Sequence, residues 1–380
     1  MLRFTALIMH TPCGLAETNS LNRIKHIAIN KMDKILSKPT VKRALLYTRI
    51  NNNVQCNTCE RKCIIPVDSY GWCGTKININ GDLYTIVYGD ISGLESRPIE
   101  IKPFYHYWPG STSLTFSTWS CNFNCPWCQN SSLSKVKPDT RHVNYIDPYR
   151  MVNLALKHGD NGLCVSFNEP TMLFEYSIDV FRIGSGKGLY CCYVSNGYMS
   201  LEALKMLAKS GLTGLKVDVK GDREVYRNYI GGCDVDIVWR NIREARNMGL
   251  HVEVVNLVVT GVNDDEACIR EIIERHLKEA GPETPIHFTR YFPAYRFHNP
   301  PTRIETLEEA YRMAKKAGIY YPYIGNVPGS QYENTYCPNC NYTLIKRYGF
   351  NIVKYEVIDN KCPRCGFKIH LTGKHIRKKL

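Results

Sequence analysis

Long apolar runs are missing from this chain. None of its 380 residues lies in an uninterrupted apolar stretch near the ~18–20 residues that a spanning helix needs, so no membrane helix is expected. The longest such stretch near the start, residues 4–9, is too short for a secretory core. Internal repeats and low-complexity tracts are absent, and no aromatic-rich RNA-binding signature occurs. Acidic residues are scarce at both ends. Residues 1–63 hold eleven Lys/Arg against three Asp/Glu and residues 337–380 hold ten against two, a net +8 at each end around a middle of −2. The apolar fraction of 44% is that of an ordinary soluble globular protein, and the length allows one large core with small appendages.

What the chain has in excess is cysteine. Seventeen cysteines without an export signal imply a reducing compartment, where clustered cysteines are metal ligands or catalytic thiols rather than disulfides. A cytoplasmic location is therefore expected. Eleven of them fall into three spaced groups. The middle group is Cys121-Asn122-Phe123-Asn124-Cys125-Pro126-Trp127-Cys128, followed by Gln129-Asn130. A 4Fe–4S cluster takes four thiolates, so a loop that supplies three leaves one iron open to the amino and carboxylate groups of S-adenosylmethionine. This spacing, with an aromatic before the third cysteine, is identified as the signature of radical S-adenosylmethionine (radical SAM) enzymes. A zinc knuckle short of one ligand is the structural alternative, and structural zinc normally closes with four. The last group, Cys337-x2-Cys340 and Cys362-x2-Cys365 around β-rich sequence at 344–357, has the pattern of a four-thiolate zinc ribbon. An auxiliary 4Fe–4S cluster is its rival. The first group, Cys56, Cys59, Cys63 and Cys73, is less regular and is left open between zinc and iron–sulfur.

Between these groups, apolar β-branched runs at 113–118, 163–167, 190–194, 215–219, 252–259 and 286–289 alternate with helical patterns such as 151–157, 201–209, 238–248 and 267–280. Six strands alternating with helices predict an α/β fold, a full or partial parallel barrel with right-handed crossovers. Chemistry in such folds gathers at the carboxyl ends of the strands. The polar, non-repetitive residues fall at those ends: the cysteine loop, Asn168-Glu169-Pro170, Ser195-Asn196-Gly197, Asp218 with Lys220, Val262-Asn263-Asp264, and Arg290-Tyr291. Four segments follow: a disordered or misassigned extension at 1–31 that is expected to add nothing to the fold, a cysteine-rich lead-in at 32–110, the barrel at 111–330, and a ribbon-like module with a basic tail at 331–380.

Taken in order, these motifs resemble the radical SAM enzymes of the AmmeMemoRadiSam system, relatives of the pyruvate formate-lyase activating enzymes. The resemblance runs from about Met32 to the last cysteine pair. Its further carriers are Gly71-Trp72-Cys73-Gly74, Tyr88-Gly89, Pro98-Ile99-Glu100, Tyr105-His106, Pro109-Gly110-Ser111 and Gly325-Asn326-Val327-Pro328. Ser166-Phe167, Ser195, Val219 and Ile101 depart mildly from the family pattern. The resemblance implies a partial (β/α)6 radical SAM barrel with small metal-binding modules at both ends. It implies that Glu169 binds the methionyl ammonium, that Asn196 and Asp218 lie near the methionine or ribose, and that Trp127 packs beside the adenine. Lys220 is expected to pair with Asp218. The resemblance further implies an electron donor of ferredoxin or flavodoxin type and Memo-like and AMMECR-like companion proteins.

The expected function is therefore reductive cleavage of S-adenosylmethionine and hydrogen-atom abstraction from an unidentified substrate. The alternatives are an activase that installs a glycyl radical on a partner and a metal-stabilised scaffold that binds nucleic acid through its basic ends. The charge excess outside the barrel suggests an anionic substrate or carrier. Cys164, Cys191 and Cys192 read as small buried hydrophobes, and Cys233 as a residue that could face the pocket. His106, His287 and His298 are the histidines placed for proton work, though a lone strand histidine such as His287 is more often a core residue.

Overall fold

A computed structural model describes residues 34–377. The 1–31 extension, expected to add nothing to the fold, lies outside the described residues, as do Lys378 and Lys379 of the basic tail.

The centre is one eight-stranded sheet in the order Pro322–Gly325, Ile286–Arg290, His251–Val258, Leu212–Asp218, Tyr190–Ser195, Gly162–Val165, Thr112–Ser117, Gly93–Pro98. All neighbours pair in parallel except the last two, which pair antiparallel. Six of these strands coincide with the apolar runs of the sequence. Pro322–Gly325 extends the parallel series by one. At four residues, with proline and glycine at its ends, it lacks the length of apolar pattern by which a strand is read. Gly93–Pro98 lacks it too, carrying Glu95 and Arg97, charges that blunt a sheet edge against further pairing.

Each strand divides its side chains by the period of two. In His251–Val258, Val252, Val254 and Val258 pack into the main core beneath the helices, whereas Val255 and Leu257 line a central cavity. The crossover helices begin on residues suited to the N-cap. Asp147, Ser200, Asp222 and Asp265 accept a backbone N–H three residues on, each such cap contributing about 1 kcal/mol.

The bottom of the barrel is closed by the lead-in at 99–108, whose Phe104 and Tyr107 are wholly buried beside Cys164, Tyr190 and Cys192. Tyr107 bonds Thr213 at 2.6 Å, and a Cβ on Gly214 would lie 2.7 Å from the Tyr107 ring. Only glycine lets this plug approach the strand.

Small antiparallel sheets flank the barrel. On the N-terminal side, Tyr47–Ile50, Asn53–Cys56 and Ile64–Ile65 carry the first cysteines, and Lys42–Arg43, Asp82–Thr85 and Lys76–Ile79 form a second sheet. The last two strands are joined by a turn at Asn80-Gly81, whose φ values of +53° and +84° are the left-handed pair that a two-residue hairpin demands. On the C-terminal side, Thr335–Tyr336 ahead of Cys337 pairs with the hairpin Thr343–Tyr348 and Asn351–Tyr355 that lies between the two cysteine pairs.

Candidate active site

The carboxyl ends of the parallel strands open into a cavity of about 390 Å³. Cys121, Cys125, Cys128, Trp127, Glu169, Asn196 and Asp218 all line it, whereas the strand-end residues Val262, Asn263, Asp264, Arg290 and Tyr291 do not. The cysteine loop follows Thr112–Ser117 and is shaped by its own hydrogen bonds. The Cys121 sulfur accepts the Phe123 N–H at 3.3 Å, and Cys128 lies 3.0 Å from the Ser134 hydroxyl. Burial, followed by the nearby Glu169 carboxylate, pushes the Cys121 thiol up. Burial also raises Cys125, against the opposing charges of Lys220 and Lys135. Such buried thiols suit a cationic metal core, which compensates their charge when it binds. Three thiols on one short loop, with a buried carboxylate opposite, fit an open-iron cluster and its cofactor.

Glu169 is 3% exposed. Its Oε1 accepts the Thr171 N–H at 3.0 Å and hydroxyls from Thr171 and Ser195 at 2.5 and 2.9 Å, while Oε2 accepts the Asn196 N–H at 2.8 Å. It therefore caps the turn at Pro170–Leu173 and also faces the cavity. Burial raises its carboxyl although all these donors favour the ionised form. The Asn196 amide donates to Asn122 Oδ1 at 2.7 Å, tying this turn to the cysteine loop. Trp127 is held between Tyr229 and Phe297, each with its ring 5.6 Å away.

Asp218 pairs with Lys220 at 3.2 Å, as expected, and also with Lys216. Burial alone would raise it, but the two ammonium groups outweigh that and bring it down to about 2. Lys216 had been hidden inside a strand-like run. Its signal is the alternation Lys216, Asp218, Lys220, charges two apart that run off the end of the strand Leu212–Asp218. At the far end the cavity is lined by Glu100, Tyr105, Lys216, His287, Thr289 and Phe350. His287 Nε2 bonds Glu253 Oε2 at 2.7 Å, and Glu253 also accepts the His106 N–H at 2.7 Å and meets His251 at 3.0 Å. His287 is thus oriented by a buried carboxylate while its ring faces the cavity. His106 lies below, bonded to Tyr323 at 2.6 Å, and burial depresses it to about 3. Cys233 is buried against Ile230 O and does not line the cavity. Cys164, Cys191 and Cys192 are wholly buried.

The outer cysteines differ in geometry. Cys337, Cys340, Cys362 and Cys365 offer sulfurs all within 4.8 Å of one another. Their two turns match: Cys337 N–H bonds Tyr342 O and Cys362 N–H bonds Phe367 O, both at 2.9 Å. A bond from Asn339, with a backbone N–H at Phe367, lowers the Cys365 thiol to about 6, toward the thiolate that a metal needs. The first group lies against the cysteine loop: Cys73 O accepts the Ser120 hydroxyl at 2.5 Å, and Arg61 donates to Asn122 O at 2.5 Å.

Residues 117–275 match the radical SAM superfamily. An uncharacterized protein of Methanocaldococcus jannaschii is 37% identical over 336 residues, spanning 87% of this chain and all of that one. A GTP 3′,8-cyclase of Nautilia profundicola is 24% identical over 198 residues, 52% of this chain and 61% of the cyclase. Among solved structures, a domain of a pyruvate-formate lyase-activating enzyme from Bacteroides vulgatus aligns with 44% of this chain and 99% of its own at 19% identity and a TM-score of 0.38. With its three-cysteine loop at the strand end, the chain belongs to the radical SAM superfamily and is an enzyme that uses a 4Fe–4S cluster and S-adenosylmethionine.

Proposed function

We propose that Cys121, Cys125 and Cys128 hold three irons of the cluster and that Glu169 takes the cofactor's ammonium. The observation that carries this is the convergence of three thiols and a fully buried carboxylate on one cavity. With cofactor bound, the cluster supplies one-electron cleavage of the sulfonium and thereby a carbon radical. The chain's own residues place it and exclude water. Asn196 and Asp218 hold the methionine or ribose, and Trp127, stiffened by Tyr229 and Phe297, flanks the adenine. The substrate then occupies the far end, with Lys216 to meet an anionic group and His287, backed by Glu253, to exchange a proton with it. Zinc in the C-terminal ribbon, a ferredoxin- or flavodoxin-type donor, a cytoplasmic setting, and Memo-like and AMMECR-like companions complete the reading. It assigns residues 32–110, 111–330 and 331–380 to lead-in, barrel and ribbon.

Glu169→Ala tests it. Loss of a hydrogen-bonded contact to a charged group costs about 1.5–3 kcal/mol, so S-adenosylmethionine should bind roughly 10- to 150-fold more weakly with iron content unchanged. An unchanged dissociation constant removes Glu169 from the site. Cleavage that survives replacement of Cys121, Cys125 and Cys128 together sinks the cluster assignment.

A further inference from the structure

The N-terminal cysteines are part of the wall of the catalytic loop. Cys73 O takes the hydroxyl of Ser120, and Ser120 is joined by a peptide bond to Cys121. Arg61, inside the Cys59–Cys63 turn, stacks 3.8 Å over Trp72 and donates to the carbonyl of Asn122. Cys59 pairs with Met199 in a backbone bridge, and Glu60 N–H bonds Tyr198 O at 3.1 Å, which fixes the same turn to the Asn196-Gly197 bend. Cys56 N–H bonds Cys63 O at 2.9 Å, bringing the two ends of that turn together. Cys56 and Cys73 lie close enough to Cys59, and Cys73 close enough to Cys56, to add to the burial that raises the Cys59 and Cys56 thiols.

The spacing of the sulfurs separates this group from the C-terminal one. A single zinc, with Zn–S bonds of ~2.3 Å, draws its sulfurs close together, as at Cys337, Cys340, Cys362 and Cys365. Among the described residues no three sulfurs of the N-terminal group come within that 4.8 Å, and neither do Cys121, Cys125 and Cys128, which hold the catalytic cluster in the reading above. Among the described residues the N-terminal quartet is thus not closed as a single-zinc site, and in this it is like the catalytic loop rather than the C-terminal four. We propose that Cys56, Cys59, Cys63 and Cys73 ligate a second iron–sulfur cluster, which passes electrons through the Cys73–Ser120 contact to the catalytic cluster. This rests on the assignment of Cys121, Cys125 and Cys128 to that cluster. A ferredoxin- or flavodoxin-class donor gives one electron to the N-terminal cluster, taking a 4Fe–4S core from 2+ to 1+. That electron moves on, returning this cluster to 2+ and reducing the catalytic cluster from 2+ to 1+. No atom is transferred, and the donor is oxidised by one electron.

The test uses the full chain, reconstituted anaerobically. With Cys121, Cys125 and Cys128 replaced by Ala, about four irons per chain and a reduced-cluster EPR signal insensitive to S-adenosylmethionine should remain. Adding Cys63→Ser should remove both. Iron near zero, with two zincs per chain, overturns the proposal. In the unaltered enzyme, freeze-quenched reduction by reduced flavodoxin should show the insensitive signal before the S-adenosylmethionine-sensitive one. A sensitive signal that rises first overturns the relay. Failure of the underlying assignment reads differently, as S-adenosylmethionine cleavage that persists in the triple Ala variant.

Discussion

The two outer modules attach to the same barrel by opposite electrostatic means. On the N-terminal side Lys76, on the strand Lys76–Ile79, forms an ion pair with Glu175 of the helix Phe174–Gly186, their side chains 3% and 5% exposed. On the C-terminal side Arg347, also 3% exposed, uses neutral acceptors instead. It donates to Tyr105 O at 2.9 Å, Thr335 Oγ1 at 2.8 Å and Glu333 O at 3.1 Å, and lies 4.3 Å over the Tyr105 ring. The first module is docked by a charge that needs its partner, the second by a fork of donors on a fixed frame. Their cysteines differ in the same sense. The C-terminal four close on themselves, while the N-terminal group shares its contacts with the catalytic loop.

The largest effect is expected from opening the C-terminal quartet. Thiolate zinc sites supply apparent binding energies of about 10–16 kcal/mol that are also folding energy, so Cys337→Ser with Cys340→Ser should release one zinc per chain and expose 335–355 to protease. The iron of the barrel should be unchanged. Iron lost in step with zinc would show that the ribbon does not close independently.

Next comes Lys76→Met. Removing one partner of a buried ion pair costs about 3–5 kcal/mol because the other charge is left uncompensated. Denaturant unfolding should show that loss, and Lys76→Met with Glu175→Leu should recover much of it. A double variant no better than the single one would mean that packing, not charge, docks the N-terminal module.

These contacts mark the boundary of what local sequence reveals. The six strand runs and the polar rim at their ends were legible because period-two burial and strand-end loops leave a local pattern. Lys76–Glu175 and Glu253–His287 were not, since each joins residues separated by 99 and 34 positions that no local window contains. Lys216 was lost for a different reason. Its β-branched and apolar neighbours read as core and masked the alternation with Asp218 and Lys220, which together with it line the cavity.

Arg347→Lys should have a smaller effect than Lys76→Met. An ammonium cannot reproduce the planar fork that reaches three acceptors at once, and one or two buried acceptors left unpaired cost roughly 1–3 kcal/mol each. The ribbon should exchange amide hydrogens faster while metal content holds. Equal protection in both proteins would assign the docking to the apolar packing of Leu344, Ile345 and Val357 in one cluster with Tyr105 and Tyr323.

The smallest effect is expected at Ser120, and it bears most directly on the contrast between the modules. Ser120 is 2% exposed, so Ser120→Ala removes one buried hydrogen bond and leaves the Cys73 carbonyl unpaired, a loss of about 1–3 kcal/mol. Neither cysteine group is altered, so iron and zinc should both stay at their original levels. The contact nevertheless joins the quartet to the loop by a direct covalent and hydrogen-bonded route, from Cys73 O through Ser120 to Cys121. Reduction of the catalytic cluster by flavodoxin, which would enter through the quartet, should therefore slow more than reduction by dithionite, a small molecule able to reach the open cavity. If both rates fall by the same factor, the Ser120 contact only steadies the loop, and the N-terminal module is a clamp rather than a conductor.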